Sequence, residues 1–247
     1  LLLLDKNLSR EEALQQINST ASGINQFESG IPEAKTIAGM QARGAVMERL
    51  DDARQLLELS AKDLKDGNYN DGIYRLAFAN ERLGSAKAWN RFLTSYQGNG
   101  NASLATYRNY NESLRNGCVT RLQEADEHMQ YLDIYLPGLL KSSEELGPVY
   151  SYLRQGDYTS CIYKASLAKA KANAMLSALS GNENLTKLID QKLKAAKESI
   201  VRQTGEGDFP IISYSYYEYS SSLKDTDKPS ALLYSEYALE LSNLKAY

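Results

Sequence analysis

The sequence predicts an all-α protein, an irregular array of about seven to nine helices folded back into antiparallel hairpins. Three observations predict it. Apolar residues recur every three or four positions along most of the chain. Only five prolines interrupt 247 residues, and proline is the residue most disruptive of helical hydrogen bonding. No second alternating segment is available to pair with the one stretch that could read as a strand. The composition, 43 % hydrophobic and 24 % charged, is that of a globular chain, and a chain of this length buries a core without staples. A net charge of −3, from 28 basic and 31 acidic side chains, offers no clustered basic surface for nucleic acid. No apolar run reaches the ~20 residues of a membrane span, and Leu1 to Leu4 is followed at once by Asp5 and Lys6.

Ser9 opens the first helix, with Glu11 and Glu12 in its first turn matching a capping box. Leu14, Ile17 and Ala21 form its apolar stripe, and Gly30-Ile31-Pro32 closes it. Pro32 is expected at the first position of a long second helix. Its apolar face is Ile37, Met40, Val46, Met47, Leu50, Ala53, Leu57 and Leu64, and Asp66-Gly67-Asn68 ends it. A third helix runs from about Tyr69 to Tyr96 with Ile73, Leu76, Ala77, Leu83, Ala86 and Trp89 inward. Gly98-Asn99-Gly100-Asn101 is the clearest loop. It divides the chain into helical hairpins over 1–98 and 99–247, or interrupts one continuous domain. The next helix spans about Ser103 to Tyr135 with a break expected at Asn116-Gly117. Pro137-Gly138 and Gly147-Pro148 then bracket a short segment. Tyr158 to Leu179 is an alanine-rich helix in which Ala165, Ala168, Ala172 and Ala178 permit close packing. Leu185 to Gln203 is amphipathic, and Gly205 to Asp208 forms a turn. From Phe209 to Ser222, Ile212, Tyr214 and Tyr216 alternate like a strand, whereas Tyr216, Tyr219 and Leu223 step like a helix; helix is preferred. Ser230 to Lys245 is the last helix, with Leu232, Leu233, Tyr237, Leu241 and Leu244 on one side.

The chain repeats itself. Residues 66–75 align with 155–164, so that Gly67, Tyr69, Gly72 and Ala79 match Gly156, Tyr158, Cys161 and Ala168. A fainter third copy begins at Lys228, where Ala231-Leu232 matches Gly72-Ile73 and Ala238 matches Ala79. Glycine suits the left-handed residue that ends one helix, and Asn or Asp caps the next. The tyrosine is expected to wedge between the two helices. This unit resembles the turn and second helix of a tetratricopeptide repeat (TPR), though its copies stand 89 and about 70 residues apart and lack the first-helix tryptophan pattern. The resemblance implies TPR-like hairpins with irregular spacers.

Signals for catalysis are poor. His128 is the only histidine, which removes a Ser-His-Asp triad and multi-histidine zinc sites; it reads as a helix-surface residue. No Walker loop or strand-linked G-x-G-x-x-G is present. S-x-x-K occurs at Ser166/Lys169 and Ser221/Lys224, without the companion motifs of serine acyltransferases. Asp51-Asp52 and Glu144-Glu145 read as solvated or capping carboxylates. The expectation is therefore no catalytic residue, no cofactor and no metal.

Tyrosine is abundant, 18 against four phenylalanines, and Tyr214, Tyr216, Tyr217 and Tyr219 cluster. Tyrosine gives large contact area at low entropic cost, which suits a surface for protein or peptide; rings packed on neighbouring helices with hydroxyls at the rim are the other reading. The grooves beside Tyr69 and Tyr158 are further contact candidates. Sequons stand at Asn7, Asn18, Asn101, Asn111 and Asn184, against roughly two expected by chance, and mark candidate glycosylation sites outside the cytoplasm. Cys118 and Cys161 are the only cysteines: one bridge in an oxidising compartment, or two buried thiols in the cytoplasm. The chain does not begin with methionine and shows no signal peptide, so a fragment is expected.

The run from Asp208 to Tyr219, continued from Ser230 to Leu241, resembles the helical region that follows a Lon-type serine protease domain in archaeal membrane-associated proteins. The likeness is best over about residues 145–247. It implies an all-helical module on the outer membrane face, with a membrane anchor beyond its end. The family's P-S-A-G nucleophile motif has no match, since Pro229-Ser230-Ala231 is followed by Leu232. No catalytic residue is carried over. The functional expectation is a noncatalytic scaffold that contacts protein or peptide and meets membrane only through segments outside this chain. The alternative is a small-molecule-binding or hydrolytic domain with an inter-helix site of Tyr, Asp and Lys groups.

Overall fold

The computed structural model describes residues 8–34, 37–95, 104–139, 141–179, 185–206 and 209–243. Among them are nine α-helices and no strand: α1 (Arg10–Glu28), α2 (Ile37–Asp66), α3 (Tyr69–Ser95), α4 (Leu104–Tyr135), α5 (Ser142–Gln155), α6 (Tyr158–Leu179), α7 (Leu185–Gly205), α8 (Ile211–Leu223) and α9 (Lys228–Leu241). The all-α expectation holds, and the ambiguous stretch after Phe209 is helix α8. The contacts divide the chain into two units, Leu1–Glu33 with Ala45–Tyr96, and Ala34–Gly44 with Gln97–Tyr247.

In the first unit, the Ser9 hydroxyl accepts from the Glu12 N–H at 3.2 Å while Glu12 accepts from the Ser9 N–H at 2.7 Å. This is the reciprocal cap that the sequence promised. The inward face of α1 is Ala13, Ile17, Thr20 and Ile24. Leu14 is exposed instead, because a helix of 3.6 residues per turn puts 13, 17, 20 and 24 on one stripe and 14 beside it. α2 and α3 lie antiparallel. Arg49 donates to Ser85, Arg82 meets Asp52, Arg75 meets Asp63 and the Ser60 hydroxyl donates to the Gly72 carbonyl. At Gly72 the two helices approach closely: an added Cβ would stand 2.8 Å from the Leu64 side chain.

In the second unit α4 packs on α5 and α6, and α9 packs on α6, α7 and α8. Cross-links along α4 and α6 advance together: Cys118 with Cys161, Glu124 with Lys169, His128 with Asn173. The two helices therefore run parallel, and α5 returns between them. α7 and α9 are parallel in the same way, through Lys192 with Glu236 and Ser199 with the Ser242 carbonyl. α8 returns against α9, with Ser213 donating to the Ala238 carbonyl and Ser220 to that of Ala231. Repeat spacings of 89 and about 70 residues thus correspond to units of three helices, not two.

Several expectations are corrected. Pro32 does not open α2, which begins at Ile37. α4 is unbroken at Asn116-Gly117, where Gly117 and Cys118 are buried: burial of the segment outweighs the weak helix preference of Asn-Gly. Gly147-Pro148 ends nothing and lies inside α5. The helical bond that proline omits is to the carbonyl of Glu144, an exposed residue in the first turn, where the loss costs least. Ala178 is exposed at the end of α6. Leu244, Asn99, Gly207 and Asp208 lie outside the described residues.

Candidate functional site

The repeated corner forms as its residues dictate. Gly67 and Gly156 both have positive φ, +86° and +76°, a conformation that glycine enters without a Cβ clash. After each, the N–H of the next residue bonds back to the helix, Asn68 to the Asp63 carbonyl at 2.8 Å and Asp157 to that of Tyr152 at 3.0 Å. This is the glycine-ended helix closure. The carbonyls of Asn68 and Asp157 then accept from Gly72 and Cys161, each at 3.0 Å, starting α3 and α6. The third copy keeps the second half alone. The Asp227 carbonyl accepts from Ala231 at 2.9 Å and its side chain from the Ser230 N–H, but no glycine precedes it.

Tyrosine does not wedge the corners. Tyr69 is exposed and Tyr158 only half-buried. Close crossing is carried by the small residues of the repeat, for Gly72, Ala79, Cys161, Ala168, Ala231 and Ala238 are all buried. Tyrosines that do enter a core are Tyr152 and Tyr163, and Tyr163 is fully enclosed and lies against Gly44. At the second corner the Arg43 guanidinium donates to Asp157 and to the Ser160 hydroxyl, both at 2.6 Å.

Tyr214, Tyr216, Tyr217 and Tyr219 divide between two sides of α8. Ser213 and Ser220, two turns apart, occupy the buried face with Ile212 and tie α8 to α9, which turns Tyr214, Glu218 and Tyr219 outward. Phe209, Tyr214 and Tyr217 form one run of rings, with centroids 5.5 and 6.3 Å apart. Tyr216 and Tyr219 join Tyr234 and Tyr237 of α9 in another, with centroids 5.1–6.2 Å apart. A hydrogen bond from Tyr214 to Glu218 one turn on, and then that carboxylate's charge, raise its phenol above the ordinary tyrosine value. Tyr216 and Tyr217 are half-buried among these rings, and Tyr214 and Tyr219 face water. Tyr234 was missed, although its i, i+3 spacing to Tyr237 would place both on one face.

The helices of the second unit also hold an ionic network that no linear motif announced. Glu240 of α9 accepts from Arg121 of α4 at 2.9 Å and pairs with Lys169 of α6 at 3.2 Å, and both cations also reach Glu124. The Arg121 and Glu240 side chains are only 7 % and 10 % exposed. Burial pushes the Glu124 carboxyl up, but Lys169 and Arg121 outweigh it and hold the group below 4.5. One turn before Glu240, Glu236 is 1 % exposed and meets Lys192 of α7 at 2.7 Å. Burial raises its carboxyl above 4.5 despite that lysine. Glu236-x-x-x-Glu240 inside an apolar helix was the available signal, and it reads equally well as a wet face.

Ser166 is fully buried while Lys169 holds Glu124 and Glu240, and Lys224 pairs with Asp190. His128 is half-buried rather than on the surface, its Nδ1 bonded to Asn173 Oδ1. Asp51 and Asp52 pair with Arg54 and Arg82. No group of three or more metal-ligating side chains occurs among the described residues, and no described helix is long and apolar enough to cross a membrane. Cys118 and Cys161 are joined as a disulfide between α4 and α6. Asn18 and Asn111 are exposed on α1 and α4, with Thr20 of the first sequon buried and donating to Asn80. Asn7, Asn101 and Asn184 lie outside the described residues. No protein-family model, curated protein or solved structure matches this chain.

Proposed function

We propose that the chain is a noncatalytic helical scaffold of TPR-like hairpins that binds protein or peptide. It serves a fused Lon-type serine protease domain at the outer face of an archaeal membrane, holding substrates near it. The observation that carries this reading is the outward pair Tyr214 and Tyr219, set on helices braced by the Ser213 and Ser220 bonds. Rigid aromatic side chains on an ordered support lose little entropy on binding. The Cys118–Cys161 bond supports a location outside the cytoplasm, where disulfides persist.

The test is titration of the purified chain, by calorimetry, with the Lon-type protease domain that this reading joins to it. Binding should weaken roughly tenfold or more when Tyr214 and Tyr219 are both changed to alanine, as for hot-spot aromatics. Binding that ignores both substitutions would remove the tyrosine face. Turnover of a small ester or peptide by this chain alone would replace the scaffold with the enzymatic alternative.

A further inference from the structure

One turn of α8 sets a carboxylate among aromatic rings without giving it a cation. Tyr214, Glu218 and Tyr219 are exposed, and Phe209 and Tyr217 flank Tyr214 with ring centroids at 5.5 and 6.3 Å. Glu218 accepts from the Tyr214 hydroxyl, which occupies one of the several lone-pair positions of a carboxylate. It forms no ion pair among the described residues, with Lys228 at the start of α9 or with any other cation. Between Ile211 and Leu223 α8 carries no lysine or arginine. Lys224, just past its end, is turned to Asp190 of α7, and Lys192 of α7 is turned to Glu236.

Elsewhere the same chain shows what completes such a group. On α3 the Arg82 guanidinium lies over the Phe78 ring, 5.5 Å from its centroid, and pairs with Asp52 at 2.9 Å. This assembly also stands at the water's edge, for Phe78 is 44 % exposed where Tyr214 is 41 % exposed. Arg49 lies over the Trp89 ring in the same way, at 5.4 Å. A guanidinium is planar and weakly hydrated, so it stacks on a ring while its fork of donors meets a carboxylate. Phe78, Asp52 and Arg82 fill all three parts from within the chain. On α8 the ring and the carboxylate are present, one turn apart, and the third part is not.

We propose that Tyr214 and Glu218 receive an arginine side chain of a protein partner, its guanidinium stacked on the ring and paired with the carboxylate. This rests on the reading of the Tyr214–Tyr219 face as a protein-binding surface, and it names the chemistry that the partner must present. Charge complementarity decides the occupant. A nucleic acid or an anionic headgroup would set phosphate against Glu218, and a wholly apolar partner would bury that charge without a counter-ion. Lysine supplies charge but no plane to stack.

Titration of the 247-residue chain with acetyl-arginine amide, read by the ring resonances of isotope-labelled tyrosine, tests the site. Saturable shifts are expected at Tyr217 and Tyr219, with the uncharged acetyl-citrulline amide weaker by about tenfold or more. Glu218→Gln and Tyr214→Ala should each weaken the arginine probe, Tyr214→Phe should keep it, and Glu11→Gln on α1 should change nothing. Added salt should weaken binding, since the site is exposed. No saturable shift, equal binding of the citrulline probe, or indifference to Glu218→Gln would each overturn the proposal. A protease domain that loses binding when Tyr214 and Tyr219 become alanine, yet ignores Glu218→Gln, would overturn it while the protein-binding reading stood. Specific binding of the arginine probe with no binding of the protease domain would uphold this site and remove that domain as its partner.

Discussion

Gly44 lies against the face of the Tyr163 ring so closely that a Cβ added to the glycine would stand 2.3 Å from the ring's Cγ. Tyr163 is fully buried and has no room to withdraw. Gly44→Ala should therefore destabilise the fold by about 1–3 kcal/mol, the usual range for overpacking. Urea denaturation would measure it, and the loss should shrink in a Tyr163→Leu background where the ring is gone. Gly84→Ala in α3 meets nothing within 4 Å and should instead add about 0.5–1 kcal/mol through helix propensity. Equal effects at both glycines would contradict the packing argument.

The Arg121–Glu240 pair should behave as a buried ion pair. Changing Glu240 to alanine leaves Arg121 and Lys169 with only the more exposed Glu124 as a shared anion, and is expected to cost toward the low end of about 3–5 kcal/mol. Arg121→Met with Glu240→Leu removes both charges of the buried pair and should recover much of that loss. A double-mutant cycle by chemical denaturation decides between coupling and simple additivity.

The Cys118–Cys161 bond closes a loop with a sequence separation of 43. Loop-closure entropy for that length gives roughly 4 kcal/mol at 25 °C. Replacing both cysteines by alanine should lower the melting temperature, and reductant should lower that of the parent but not of the variant. A parent chain whose melting temperature is the same with and without reductant would show the bond adds nothing.

Glu236 and Glu124 should respond to pH with opposite signs. Burial raises the Glu236 carboxyl above 4.5, so the folded state holds that proton more tightly, and acidification through the raised value adds stability. Glu124 is held below 4.5 by Lys169 and Arg121 against the upward push of burial, so it contributes stability above 4.5 that fades as pH falls through its folded value. Glu236→Gln should gain most over the parent at neutral pH, and the advantage should narrow on acidification. Glu124→Gln should lose most at neutral pH and converge with the parent in acid. Melting temperatures across a buffer series check both; a Glu236→Gln difference that does not change with pH would show that the carboxylate is comfortable where it is.

What the sequence could say by itself is what residues a few positions apart decide. The helices, the Ser9 cap and the glycine-ended corners at Gly67 and Gly156 follow from dihedral preference and from bonds to near neighbours, and the apolar stripe of α2 from periodicity. Pro148 and Asn116-Gly117 misled because local preference is worth about 1 kcal/mol per residue for glycine, and burial along α4 or an exposed first turn in α5 outweighs it. Tertiary structure alone decided the parallel pairing of α4 with α6, the meeting of Cys118 with Cys161, and the fate of Glu236 and Glu240. A glutamate on a helix reads as wet until another helix brings a cation to it, and here the cations stand 44 to 119 residues away along the chain.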